Sequence, residues 1–100
     1  MSDWIGKFVI ARATQAGVHA GVLVSRNGAE CELRDARRLW RWRVKNNAGI
    51  SLSGVATHGL DKKDTRVGAP VNQLLTEVCE YIECSKEAAE NIARFPTYEP

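Results

Sequence analysis

Apolar and polar positions along this chain fall mostly into short runs with the two-residue period of extended strands, and the 3.6-residue period of helices surfaces unambiguously only twice. The first run, Trp4 to Thr14, has Phe8 and Ile10 on one side and Val9 and Ala11 on the other. Apolar residues on both sides predict a strand buried on both faces, with Arg12 near its exit. Gln15-Ala16-Gly17 makes the turn into a second strand, Val18 to Arg26.

Asn27-Gly28 is the sharpest local signal, because this pair supplies two positive-φ residues for a type I′ hairpin. A two-residue loop centred there pairs Arg26 with Ala29, Val24 with Cys31 and Val22 with Leu33. That register gathers Val22, Val24, Cys31 and Leu33 on one face and sends Ser25, Glu30, Glu32 and Leu23 to the other. Arg34-Asp35-Ala36 then breaks the alternation, which predicts a bulge or corner. Extended structure resumes through Arg37-Arg38-Leu39-Trp40-Arg41-Trp42. Continued alternation sets Trp40, Trp42 and Val44 opposite Leu39, Arg41, Arg43 and Lys45.

Lys45 to Gly49 reads as a loop. Ser51 is a suitable N-cap for a short helix with Leu52, Val55 and Ala56 on one face, ending at Gly59. A solvated loop, Asp61 to Thr65, leads to a brief extended piece, Val67 to Val71. Leu74 to Cys84 fits either period. Its β-branched and aromatic content, in Thr76, Val78, Tyr81 and Ile82, favours a strand. Ser85 caps a second helix with Ala88, Ala89, Ile92 and Ala93 on one face, and Pro96 stops it, leaving residues 96–100 as a flexible tail. The sum is one α+β domain over residues 1–100: a curved antiparallel β-sheet or partial barrel, a short inserted helix and a C-terminal helix.

Charge changes this picture by its distribution. The net +2 divides into nine Lys/Arg and four Asp/Glu in residues 1–50, against five and eight in residues 51–100. A basic half can hold an anion while an acidic half sheds non-specific nucleic acid, or the halves can pair between subunits. No apolar run approaches the roughly 18–20 residues that span a bilayer. Met1-Ser2-Asp3-Trp4 lacks the basic and apolar regions of a signal peptide, so a cytoplasmic location is expected. Cys31, Cys79 and Cys84 are odd in number and lack CxxC spacing, which signals neither a disulfide framework nor a zinc site.

Catalytic chemistry finds little support. His19 and His58 are far apart in sequence, and His19 shares a strand face with Gly21 and Leu23, the setting of a packed histidine. There is no phosphate-cradling glycine loop, nucleophile elbow or metal-binding helix, and Glu77, Glu80 and Glu83 are spaced as a solvated face. No enzyme, metal or cofactor is expected. The segment Arg34 to Lys45 stands apart. It concentrates six of the chain's 14 basic residues and two of its three tryptophans. Guanidinium groups grip phosphate and stack on bases, and indole rings stack on bases too. The competing reading is structural: tryptophans in the core and arginines on a solvated strand face.

Three segments carry a resemblance: Phe8 to Arg12, Gly17 to Arg26, and Asp35 to Trp42. Together with Ser51 to Gly59, Ala69-Pro70-Val71 and Leu75 to Ser85, they resemble a family of small phage proteins known as a domain of unknown function. The layout is also similar to the Thoeris anti-defence sponge proteins, which sequester cyclic ADP-ribose signals and, in some members, cyclic oligonucleotides. That resemblance implies a non-enzymatic homo-oligomer, a dimer or higher, with ligand pockets between subunits in a bacterial host cytoplasm. The ligand-binding set expected on these grounds is Arg12, Thr14, Gly17, His19, Arg37, Arg38, Trp40, Arg41 and Trp42. The alternatives are a small basic β-domain that binds single-stranded nucleic acid through the same strand, and a structural phage protein.

Overall fold

The computed structural model describes residues 4–99. Six antiparallel strands form one sheet: β1 (Phe8–Ala13), β2 (Gly17–Asn27), β3 (Glu30–Arg41), β4 (Arg66–Val67), β5 (Val71–Leu75) and β6 (Val78–Glu83). Helix α1 (Leu52–His58) lies between β3 and β4, and α2 (Lys86–Ala93) follows β6. The sheet order is β4-β3-β2-β1-β6, with β5 pairing the first half of β3 and β4 its end. This is the curved α+β architecture that the patterning predicts, with the sheet left open.

Two separate apolar clusters explain the curvature. One is supplied by strands alone: Val9 and Ala11 from β1, Leu23 from β2, Cys31, Leu33 and Ala36 from β3, Leu75 from β5 and Val78 from β6. With no helix on that face, these side chains leave water only if the sheet curls over them. The curl is visible where the Val78 amide donates to Ala29 O at the far hairpin tip, at 3.0 Å, although Val78 also pairs with Ala13. The second cluster joins the other face to the helices: Ile10, Val18, Ala20, Leu39, Val44, Val55, Ala56, Leu60, Val67, Ile92 and Phe95. Strand β1 feeds both, Val9 and Ala11 inward and Ile10 toward the helices, so its two-faced apolarity is explained.

The hairpin after β2 forms one residue away from its expected register. Asn27 pairs with Glu30, leaving Gly28-Ala29 as the loop, and only Gly28 (φ 61°) has positive φ, as a type II′ turn requires. Leu23 opposes Leu33 and lies in the inner cluster with Cys31, whereas Val22 and Val24 are only half-buried. A bulge at Val24, where the ladder slips between Leu23 and Ser25, lets the glycine take the corner without exposing leucine.

The predicted interruption at Arg34-Asp35-Ala36 is a bulge. Asp35 has φ 55°, and the ladders to both β2 and β5 slip there. Gly21 makes the bulge possible, since a Cβ at that position would meet Ala36 Cα at 2.9 Å and Arg34 O at 3.0 Å. Helix α1 starts as expected, with Ser51 Oγ accepting from the Gly54 amide, and it ends at Gly59 (φ 94°). Helix α2 is capped by Ser85, whose Oγ accepts from the Ala88 amide. Ala88 and Ile92 of α2 are buried, but Ala93 is exposed, so its apolar face is narrower than predicted. The Leu74–Cys84 segment is extended, but Thr76-Glu77 divides it between β5 and β6.

Candidate ligand-binding surface

The bulge at Asp35 decides which face each arginine takes. Cys31 and Leu33 point into the curl; one extra residue then puts Ala36, Arg38 and Trp40 on that face and turns Arg37 and Leu39 toward the helices. Arg37 is 2 % exposed. Its Nε donates to Gly68 O at 2.7 Å, Nη1 to Ile92 O at 3.0 Å and Ala93 O at 3.2 Å, and Nη2 to Phe95 O at 2.9 Å and Thr97 Oγ1 at 3.3 Å. It thereby satisfies carbonyls at the C-terminal end of α2, where a cation also suits the helix dipole. Every nitrogen of the fork is engaged, so Arg37 leaves the ligand-binding set.

Arg38, on the opposite face, is exposed, with one guanidinium nitrogen donating to Ala16 O at 2.9 Å. Beyond it, Trp40 is 55 % exposed. Leu39 is buried and Trp40 open, on opposite sides as expected; alternation fails only beyond Trp40, where the β3–β4 ladder slips and β3 ends at Arg41, so that Trp42 and Val44 join Leu39's side. The slip sets Trp40 and Arg41 together against Arg66 of β4. Trp42 lies past the strand, half-buried against the helix-side core, with Nε1 donating to Ile50 O at 2.9 Å. Trp42 is therefore structural.

The C-terminal segment completes the surface. The Tyr98 amide donates to Val67 O at 2.8 Å, which docks residues expected to be a loose tail. The Tyr98 ring meets Trp40 edge to face, with centroids 6.5 Å apart and planes at 71°, and the Arg66 guanidinium lies 4.8 Å above it. Two aromatic rings thus stand among Arg38, Arg41 and Arg66. Among the described residues the ion pairs are Lys7–Glu83, Arg12–Glu80 and Lys45–Glu87, so no carboxylate answers these three arginines. Like charges set opposite each other on adjacent strands cost stability. An anion laid across them would relieve that cost.

His19 forms the floor beneath Arg38, its ladder partner. It has no exposed surface, and Nε2 lies 2.9 Å from Ala16 O. A carbonyl only accepts, so Nε2 carries the proton and Nδ1 is left a bare acceptor, with no partner although Gln73 stands nearby. Burial lowers the imidazole pKa; the Ala16 carbonyl opposes this by a lesser amount, and the Arg38 charge, smaller still, lowers it again. Gly17 (φ 87°) lies at the edge of this region, 3.8 Å from Arg38 Nη2 as measured from an added Cβ.

The remaining expected residues lie elsewhere. Arg12 shares Ile10's side of β1, and its Nε donates to Glu80 Oε1 at 2.9 Å, a bond that raises the guanidinium pKa. Thr14 binds Glu77 O through both its amide and its hydroxyl. Of the nine residues expected, Arg38, Trp40 and Arg41 converge on the exposed surface, Gly17 and His19 border it, and Arg12, Thr14, Arg37 and Trp42 do not reach it. Arg66 and Tyr98 were missed. Their one signal in the sequence is a tyrosine just beyond the helix-stopping Pro96, which can bring an aromatic back to the sheet.

A separate groove of about 360 Å³ lies by the C-terminal end of α2, lined by Lys45, Lys62, Glu87 and Arg94 among others, and its charges are mixed. Among the described residues no three His, Cys, Asp or Glu side chains are grouped to hold a metal ion, and no helix is long and apolar enough to cross a membrane. Neither the curated proteins nor the solved structures contain a match to this chain. Residues 6–92, most of its length, match the family described as Domain of unknown function (DUF6948), and the chain belongs to that family.

Proposed function

We propose that this protein is a non-catalytic binder of a nucleotide-type ligand. The base stacks on Trp40 beside Tyr98, and the phosphates lie across Arg38, Arg41 and Arg66. The observation that carries the reading is Trp40, more than half exposed on the sheet face that also presents Arg38. An indole left open to water is costly unless something covers it, and three arginines without carboxylate partners among the described residues give that something negative charge. The resemblance to Thoeris anti-defence sponges directs the choice of ligand to cyclic ADP-ribose isomers and then to cyclic oligonucleotides. It also directs the role, as phage counter-defence that hides an immune signal in the host cytoplasm.

The test is to incubate the protein with each cyclic nucleotide, follow its melting temperature, and then heat it and analyse what is released. A ligand that binds only the folded state raises the melting temperature and comes off intact. Recovery of a cleaved product would make the protein an enzyme. No retention of any nucleotide, and no shift, would end the proposal.

The openness of the platform favours a second reading, in which single-stranded nucleic acid runs across Trp40 and Tyr98. Binding of a strand along several cations releases counterions and weakens steeply with salt, whereas capture of one small ligand weakens less.

A further inference from the structure

A buried acceptor beside the platform is left unmet by the fold. His19 Nε2 spends its proton on Ala16 O, so Nδ1 is a bare acceptor in a ring with no exposed surface. An acceptor left in that state costs stability. The amide of Gln73 stands beside it without closing the bond. Gln73 pairs with Leu33 across the β3–β5 ladder and so lies on the inward face, which continues along β3 to Arg38 and Trp40. It is half-buried, and Val71, its neighbour on that face, is 51 % exposed. The chain entering β5 also runs against the indole, since a Cβ on Gly68 would lie 3.3 Å from Trp40 Cη2. Gln73 therefore connects the bare nitrogen to the open face on which Arg38 and Trp40 stand.

We propose that Gln73 determines which base the protein accepts, with His19 as its positioning residue; this rests on the nucleotide reading above. Nδ1 can only accept, so it takes an N–H of the Gln73 amide and fixes which way round that amide sits. With the N–H anti to the carbonyl given to Nδ1, Oε1 and the other N–H are left side by side, facing away from the imidazole. That pair fits an edge with a donor beside an acceptor, which adenine presents through its 6-amino group and a ring nitrogen. Hypoxanthine carries a 6-oxo group instead, and an acceptor then faces Oε1. With the phosphates held on the arginines, the base cannot turn over to restore the match.

The test uses probes that differ in the base alone: AMP against IMP, and cyclic di-AMP against cyclic di-IMP, by titration calorimetry on the full chain. The adenine member of each pair should bind about tenfold more tightly or better. Gln73→Ala should bring the two Kd values together by weakening the adenine probe. The side chain is half-exposed, and an unchanged melting temperature verifies that this variant folds. His19→Phe keeps a ring in place but removes the acceptor. It should narrow the ratio partly by strengthening the hypoxanthine probe, because the amide is then free to turn; a purely structural role would weaken both probes alike. Equal binding within each pair, or a ratio indifferent to Gln73→Ala, would overturn this proposal and leave the nucleotide reading standing. Failure of all four probes to bind would overturn it as well, and the nucleotide reading falls with it if the cyclic ADP-ribose isomers also fail.

Discussion

Arg37 and Arg38 are consecutive residues of one type on one strand, and they do opposite things. Arg37 is buried, with a guanidinium that holds β3, the Gly68 link, the end of α2 and the C-terminal segment together. Arg38 stands on the open face with Trp40, where it donates to Ala16 O. The side on which an arginine falls, not its identity, separates scaffold from candidate site. That side is set by the single extra residue at Asp35.

The largest effect should come from Arg37→Ala. It leaves several buried carbonyls without donors, and a loss of roughly 3–5 kcal/mol in chemical unfolding is expected. Arg38→Ala should change stability by less than about 0.5 kcal/mol, as surface substitutions do. Equal losses at the two positions would erase the distinction. Gly21→Ala attacks the bulge that creates it, and the clash with the Ala36 backbone should cost about 1–3 kcal/mol. An unchanged melting temperature there would show that the bulge has room to spare.

A smaller effect is a pH slope. His19 has a lowered pKa in the fold, so below about 6.5 the unfolded chain takes up a proton that the folded chain resists. Its contribution to stability is therefore complete above that pH, falls as pH drops through it, and levels off below the folded pKa. Melting temperatures from pH 8 to 5 should show this decline, and His19→Gln should flatten it. The smallest expected change in stability is that of Trp40→Ala, near zero, together with loss of any nucleotide-dependent rise in melting temperature. A large destabilisation would instead make Trp40 part of the core.

The caps at Ser51 and Ser85, the two-faced first strand and the break at Asp35 were legible because each depends on neighbouring residues only. Side assignment along β3 was not. Its ladders slip at Asp35 and at Trp40, and the β2 side slips at Val24; each slip reverses the parity on which an alternation argument rests. The arginine-tryptophan segment was recognisable as the place to look. Which of its residues face outward depended on those slips, and the contributions of Arg66 and Tyr98 depended on chain returning from 26 and 58 residues beyond Trp40.

The acceptors of Arg37 lie 31 to 60 residues further along the chain. During synthesis at about 5–20 residues per second, β3 therefore exists for seconds before the carbonyls that its arginine needs. Until α2 arrives, the charge is better left in water, and the helix side of β3 has reason to stay loose while the hairpins organise. Arg37 then acts as a late latch. Its removal should hasten unfolding far more than it slows folding, a partition that chevron kinetics on Arg37→Ala would read directly.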